Sequence, residues 1–172
     1  PISKADYQIE TTDQKESQLD MVRKFELTVE DHFVLANHCR SHNIDFLSTP
    51  FDIPSVKILL DVGVDKFKIS SGDITNAPLL LKVAQTGKAI ILSTGLSSIG
   101  EVETALGILS YGFLPIDKMP SIETFFEAYC APAAQNVIRQ RVKLLHCTTE
   151  YPAPFSAVNL NNIDTLRHTF DL

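Results

Sequence analysis

The strongest constraint on this chain is an alternation in which a short apolar stretch is followed by an amphipathic one, at about 21 to 23 residues per unit. The short stretches are Ile44 to Ser48, Lys66 to Ser70, Ala89 to Ser93 and, after a longer interval, Val142 to Cys147. Between them the pattern turns helical. Asp52 is placed to cap a helix running to Val62, with Gly63 just past its end, and Asn76 to cap one over 77–86, with Pro78 in its first turn and Gly87 as its stop. Ser98 and Glu101 form a capping box that opens a helix through Ser110. Two further helices, over 14–26 and 29–42, precede the first strand, and another is expected near 159–170. The alternation breaks after Tyr111. Residues 112–140, with Pro115, Pro120 and Pro132, read as a helical insertion packed on the outside.

Strands alternating with helices make βαβ units and a parallel sheet, so the fold class is α/β. Open doubly wound sheets and (β/α)8 barrels both satisfy the pattern. No G-x-G-x-x-G or G-x-x-x-x-G-K-[ST] loop follows any strand, which favours the barrel. A complete barrel needs eight strands and about 250 residues. The 172 residues predict about four strands of a partial (β/α)8 TIM barrel plus the helical insertion. The first residue is Pro rather than Met, so the chain is expected to begin inside a longer product.

Composition narrows the function classes. With 15 basic and 21 acidic residues the formal charge is −6, which opposes a general grip on nucleic acid but leaves room for a local phosphate pocket. At 44% hydrophobic residues the chain is no disordered polyelectrolyte and can bury a core without staples. The three cysteines form no CxxC pair, so neither a disulfide framework nor a zinc knuckle is indicated, and a reducing cytoplasm is expected. No apolar run approaches the roughly 18 residues of a membrane span, and the first residues lack a signal-peptide pattern. No membrane partner is expected.

Polar residues gather at the strand ends: Ser48-Thr49, Ser70-Ser71-Gly72-Asp73, Ser93-Thr94-Gly95 and His146-Cys147-Thr148-Thr149-Glu150-Tyr151. Hydroxyls and backbone amides at such turns suit an anion, although each also serves as a helix cap. Lys68, mid-strand between Phe67 and Ile69, is either an exposed edge residue or a cation facing a wet, anion-bearing lumen. Asp73 is a general acid/base, a partner that orients Lys68, or a turn residue before the helix capped by Asn76. His38 and His42 have the i, i+4 spacing of a zinc pair, but no third ligand accompanies them and a solvated helix end fits better. His146 is a satisfied core histidine or a pocket residue.

At these same strand ends the chain resembles the N-acetylneuraminate (sialic acid) synthase family, which includes the legionaminate and pseudaminate synthases. The matching stretches are residues 46–52, FLSTPFD; residues 67–73, FKISSGD, with TNAPLL at 75–80; residues 91–95, ILSTG; and residues 144–152, LLHCTTEYP. The resemblance implies a (β/α)8 barrel that condenses phosphoenolpyruvate with an N-acetylated amino sugar such as N-acetylmannosamine, giving a nine-carbon 2-keto acid and phosphate. It carries phosphoenolpyruvate binding onto Thr49, Lys68, Ser71 and Ser93, and sugar contacts onto Thr149 and Tyr151. The acidic residue after the Ser-Gly pair is often glutamate in the family and stands here as Asp73. Some members have asparagine where this chain has Thr149.

The family's first two strands, with a catalytic glutamate and another lysine, have no counterpart here. Neither do its last two strands, whose two histidines bind a divalent metal (Mn or Mg), nor the carboxyl-terminal antifreeze-like domain that reaches across a homodimer. The chain is therefore expected to be the middle of a synthase, roughly its third to sixth strands, and by itself to turn over nothing. Two other readings stand beside this one. A phosphoenolpyruvate synthase using a phosphorylated acceptor would show more basic residues at the strand ends, and a non-catalytic half-barrel would pair its exposed sheet with another chain.

Overall fold

In the computed structural model, residues 17–172 are described together with residue 9. The chain divides into two units, residues 1–45 and 46–172. The first holds α1 (Gln18–Arg23) and α2 (Val29–Ser41). Ser17 caps α1 by accepting from the Asp20 amide, and Thr28 and Asp31 form a reciprocal capping box at the start of α2. The expected helix over 14–26 is shorter than its pattern suggested, and residues 14–16 lie outside the described residues.

The second unit contains the sheet. Its elements are α3 (Ile53–Val62), β1 (Lys66–Ile69), a 3-10 turn (Ser71–Asp73), α4 (Ala77–Ala84), β2 (Ala89–Ser93), α5 (Ile99–Phe113), α6 (Ile122–Cys130), α7 (Pro132–Arg141), β3 (Val142–Leu145), a second 3-10 turn (Phe155–Ala157) and α8 (Asn161–Phe170). Asp52, Asn76 and Ser98 cap α3, α4 and α5 with their side chains. Gly63 ends α3 in the left-handed region at φ 90°, and Gly87 turns the chain into β2 at φ 71°.

Three parallel strands lie in the order β1-β2-β3. Four were expected. Residues 44–48 form no strand, because an apolar stretch becomes one only when another backbone pairs with it, and none of the described strands does. The register sorts the sheet into two faces. Phe67, Ile90 and Val142 stand in one row, and Ile69, Leu92 and Leu144 in the next on the same side. These residues enter the core with Val56, Leu59, Leu80, Val83, Leu106, Leu109 and Phe170 from the helices. The opposite face carries Lys66 and Ala89, then Lys68, Ile91 and Lys143, then Ser93 and Leu145.

Residues 122–141 form two helices that each bury one face. Phe125, Ala128 and Ile138 are buried in the common core, and the Phe125 ring meets Tyr111 edge-on at 5.2 Å. Pro132 does not break this region but begins α7, where its missing N–H costs nothing.

Candidate functional site

The carboxyl ends of β1, β2 and β3 converge around Gly95. A methyl group placed on Gly95 would stand 3.2 Å from Ser71 Oγ and 3.3 Å from both the carbonyl oxygen and Sγ of Cys147. Three strand-end turns therefore meet here, close enough that a side chain at position 95 would have to push its neighbours back by a few tenths of an ångström. Thr94 fastens this arrangement, donating through its amide (3.1 Å) and its hydroxyl (3.0 Å) to the carbonyl of Leu145.

Beside Gly95 lies a cleft of about 240 Å³ lined by Ser71, Gly72, Thr75, Leu96, Ser97, Glu101 and Thr149, among others. Ser71 and Thr149, named from separate motifs, thus share one cavity. Lys68 and Ser93 lie on the face of the sheet opposite the core, Lys68 paired with Ile91 and Ser93 two residues beyond that isoleucine. Lys68 is half-buried and Ser93 buried. Neither side chain makes a hydrogen bond to another described residue, and the same holds for the hydroxyls of Thr49 and Ser71. Those four groups are left with unused hydrogen-bonding capacity, as a ligand site requires.

Thr49 is half-buried in the segment leading to α3. Tyr151 is exposed in the loop after β3, outside the cleft's lining, and its bond to Pro152 is cis. Asp73 is occupied locally: its Oδ1 accepts from the Asn76 side chain at 3.2 Å, and Asn76 in turn accepts from the Leu79 amide. This carboxylate steadies a helix cap instead of pairing with Lys68.

Glu101 is the one carboxylate lining the cleft, and the sequence marks it only as a capping residue. It accepts from the Ser98 amide at 2.7 Å and the Ser98 hydroxyl at 3.0 Å, and those two bonds hold its pKa below the ordinary glutamate value. Thr75 and Ser97 also line the cleft. Both stand within or beside the conspicuous motifs, and only their place in the turns identifies them.

His146 shares features of both readings offered for it. Its Nε2 donates to the carbonyl of Val158 at 2.6 Å, tying the end of β3 to the approach to α8, and its ring also lines a second cleft of about 360 Å³ with Thr94, Cys147, Asn162 and Thr165. The His38 and His42 rings lie 4.3 Å apart and tilted by 40°, with His42 Nδ1 donating to the His38 carbonyl. Among the described residues no three His, Cys, Asp or Glu side chains are grouped to hold a metal ion, so the residues present do not fit a divalent metal. No helix among them is long and apolar enough to cross a membrane.

The pattern that defines the NeuB family matches residues 2–172. The chain is 46% identical over 169 residues to an N,N'-diacetyllegionaminic acid synthase of Campylobacter jejuni, a match covering 98% of this chain and 44% of the relative. A synthase of the same name from Legionella pneumophila is 33% identical over 171 residues, covering 99% of this chain and 42% of the relative. Among solved structures, an N-acetylneuraminic acid (sialic acid) synthetase of Leptospira borgpetersenii, crystallised with citrate, superposes with a TM-score of 0.72 at 29% identity. That match covers 95% of this chain and 48% of the other. The chain thus spans less than half the length of these relatives.

Proposed function

We propose, for a chain that belongs to the NeuB family, that its strand-end basin binds phosphoenolpyruvate for condensation with an N-acetylated amino sugar and one water, C3 bonding to the aldehyde carbon and water attacking C2 as phosphate departs, yielding a nine-carbon 2-keto acid and phosphate. The two legionaminic acid synthases among its relatives favour a diacetylated acceptor. The observation that carries the reading is the meeting of three strand-end turns at Gly95, beside a sheet face on which Lys68 and Ser93 are unengaged.

Thr49, Ser71 and Ser93 supply hydroxyl donors, and Lys68 supplies a compact positive charge. Together they hold the phosphate and carboxylate of the enol ester and leave its C3 free to face an aldehyde. Thr149, sharing the cleft with Ser71, is assigned to the sugar, and Tyr151 joins it through the loop after β3. Asp73 acts by positioning: it anchors Asn76, and through Asn76 the start of α4, behind the turn that presents Ser71. The divalent metal, Mn or Mg, proposed for the full-length family enzyme finds no ligand set among the described residues, so no step is assigned to it. A homodimer, a cytoplasmic setting and an inactive isolated segment belong to the same proposal.

Steady-state kinetics of Lys68→Ala in a full-length protein carrying this segment test the assignment. The expected outcome is a KM for phosphoenolpyruvate raised by about tenfold or more, the scale of one lost charge-assisted bond, or no activity at all. Near-normal kinetics would remove Lys68 from the site. Calorimetric titration with phosphoenolpyruvate should show binding to the parent and weaker binding to the variant.

A further inference from the structure

The face of the sheet opposite the core holds a second mid-strand lysine, exposed, that none of the motifs contains. Lys143 of β3 pairs with Ile91, and Ile91 pairs with Lys68, so the two lysines flank one isoleucine in a single row. Parallel strands lie about 4.8 Å apart, which sets the two Cα atoms about 10 Å from each other with both side chains on the same side. Among the described strand residues on that face none is acidic. In a chain of net charge −6, this is a local reversal of sign. Among the described residues, no carboxylate pairs with Lys68 or Lys143. Two cations on one face of the sheet, about 10 Å apart, favour an anion held between them.

The row also has the right height. Ser93 lies two residues beyond Ile91 on the same face and pairs with Leu145, which lies two residues beyond Lys143. Two residues of strand are about 6.6 Å, a rise that the four-carbon stem of lysine spans. Both ammonium groups can therefore reach the level of the Ser93 hydroxyl, one from each flank.

Resting on the reading of this basin as the phosphoenolpyruvate site, we infer that Lys143 is a second anion-binding residue, holding the flank of the enolpyruvate anion opposite Lys68. A ligand with two negatively charged ends, a phosphate and a carboxylate, suits two separated cations better than one. The competing account is that Lys143 only guards β3 against edge-to-edge pairing, a common use of lysine on a sheet edge.

The test compares Lys143→Met and Lys143→Arg with Lys68→Ala in a full-length protein carrying this segment. KM for phosphoenolpyruvate, KM for the amino sugar, calorimetric Kd for phosphoenolpyruvate and Tm are measured for each. Lys143→Met should raise the KM and Kd for phosphoenolpyruvate about tenfold and leave the sugar KM and the Tm near parental values, while Lys143→Arg restores most of the affinity. If Lys143→Met leaves phosphoenolpyruvate binding unchanged while Lys68→Ala weakens it, the inference falls and the site assignment survives. If neither variant weakens phosphoenolpyruvate binding, the site assignment falls and takes the inference with it. If Lys143→Met lowers Tm and worsens both KM values alike, Lys143 is structural and the inference is overturned.

Discussion

The two faces of the sheet are made by the same three strands and differ by a single residue of phase. On one face, Phe67, Ile69, Ile90, Leu92 and Val142 are all buried under helices. On the other, the alternate residues Lys68, Ile91 and Lys143 form a row that is half-buried or exposed and outside the apolar core. The first face is where this unit gains its stability, because apolar area removed from water is the dominant favourable contribution to folding. The second contributes little to folding and carries charge and hydroxyls toward the strand ends. Because strand side chains alternate with period two, each strand divides its residues between these two tasks.

Substitutions should separate the faces. The largest effect belongs to Phe67→Ala: the side chain is fully buried at the centre of the helix-covered face, and its loss should cost about 3–5 kcal/mol by chemical denaturation. A cost under about 1 kcal/mol would mean that this face does not carry the core. Lys68→Ala on the other face should leave folding stability within about 0.5 kcal/mol of the parent while weakening phosphoenolpyruvate binding. A large stability loss there would erase the distinction between the faces.

A finer contrast lies along α5, which packs over the buried face. A Cβ on Gly112 would fall 2.5 Å from the Cβ of Ala84 and 3.2 Å from the Leu81 carbonyl oxygen, whereas one on Gly100 would meet nothing within 4 Å. Gly112→Ala should therefore lose about 1–3 kcal/mol to overpacking, only partly offset by about 1 kcal/mol of helix propensity. Gly100→Ala should keep the propensity gain and raise Tm. Equal effects at the two positions would show that α5 does not press on α4 as described.

The same contrast governs how much of the fold was legible in the sequence. Caps were readable, and Asp52, Asn76 and Ser98 all cap in the structure, because each bond is made within three residues of chain. Residues 44–48 were misread as a strand because pairing depends on a distant backbone that apolar character does not reveal. The prolines between 112 and 140 suggested an exterior segment, yet Ile138 is core, since burial there depends on what α7 meets rather than on its punctuation. Within the site, the motif residues Ser71 and Thr149 were readable and do share a cleft. Asp73 was ambiguous because its partner Asn76 is also a local cap, and hydrogen-bond geometry alone separates the two roles. The close approach at Gly95 and the row joining Lys68 to Lys143 required the register.

The smallest effect concerns a residue that belongs to the fold and also lines the cleft. Glu101 completes the capping box of α5, and the amide and hydroxyl of Ser98 hold its pKa below 4.5. A carboxylate whose folded pKa is depressed contributes stability that is fully present above its unfolded value and is lost as pH falls through the lower folded value. Asp31 and Asp52, held down by Thr28 and Ser55, act in the same direction. Glu101→Gln preserves the capping geometry and removes only the charge. Its Tm should lie slightly below the parent's at pH 7, and the difference should shrink as pH falls below 4.5 because the parent's carboxyl becomes neutral. A difference that persists in acid would mean that Glu101 supports α5 through something other than its charge.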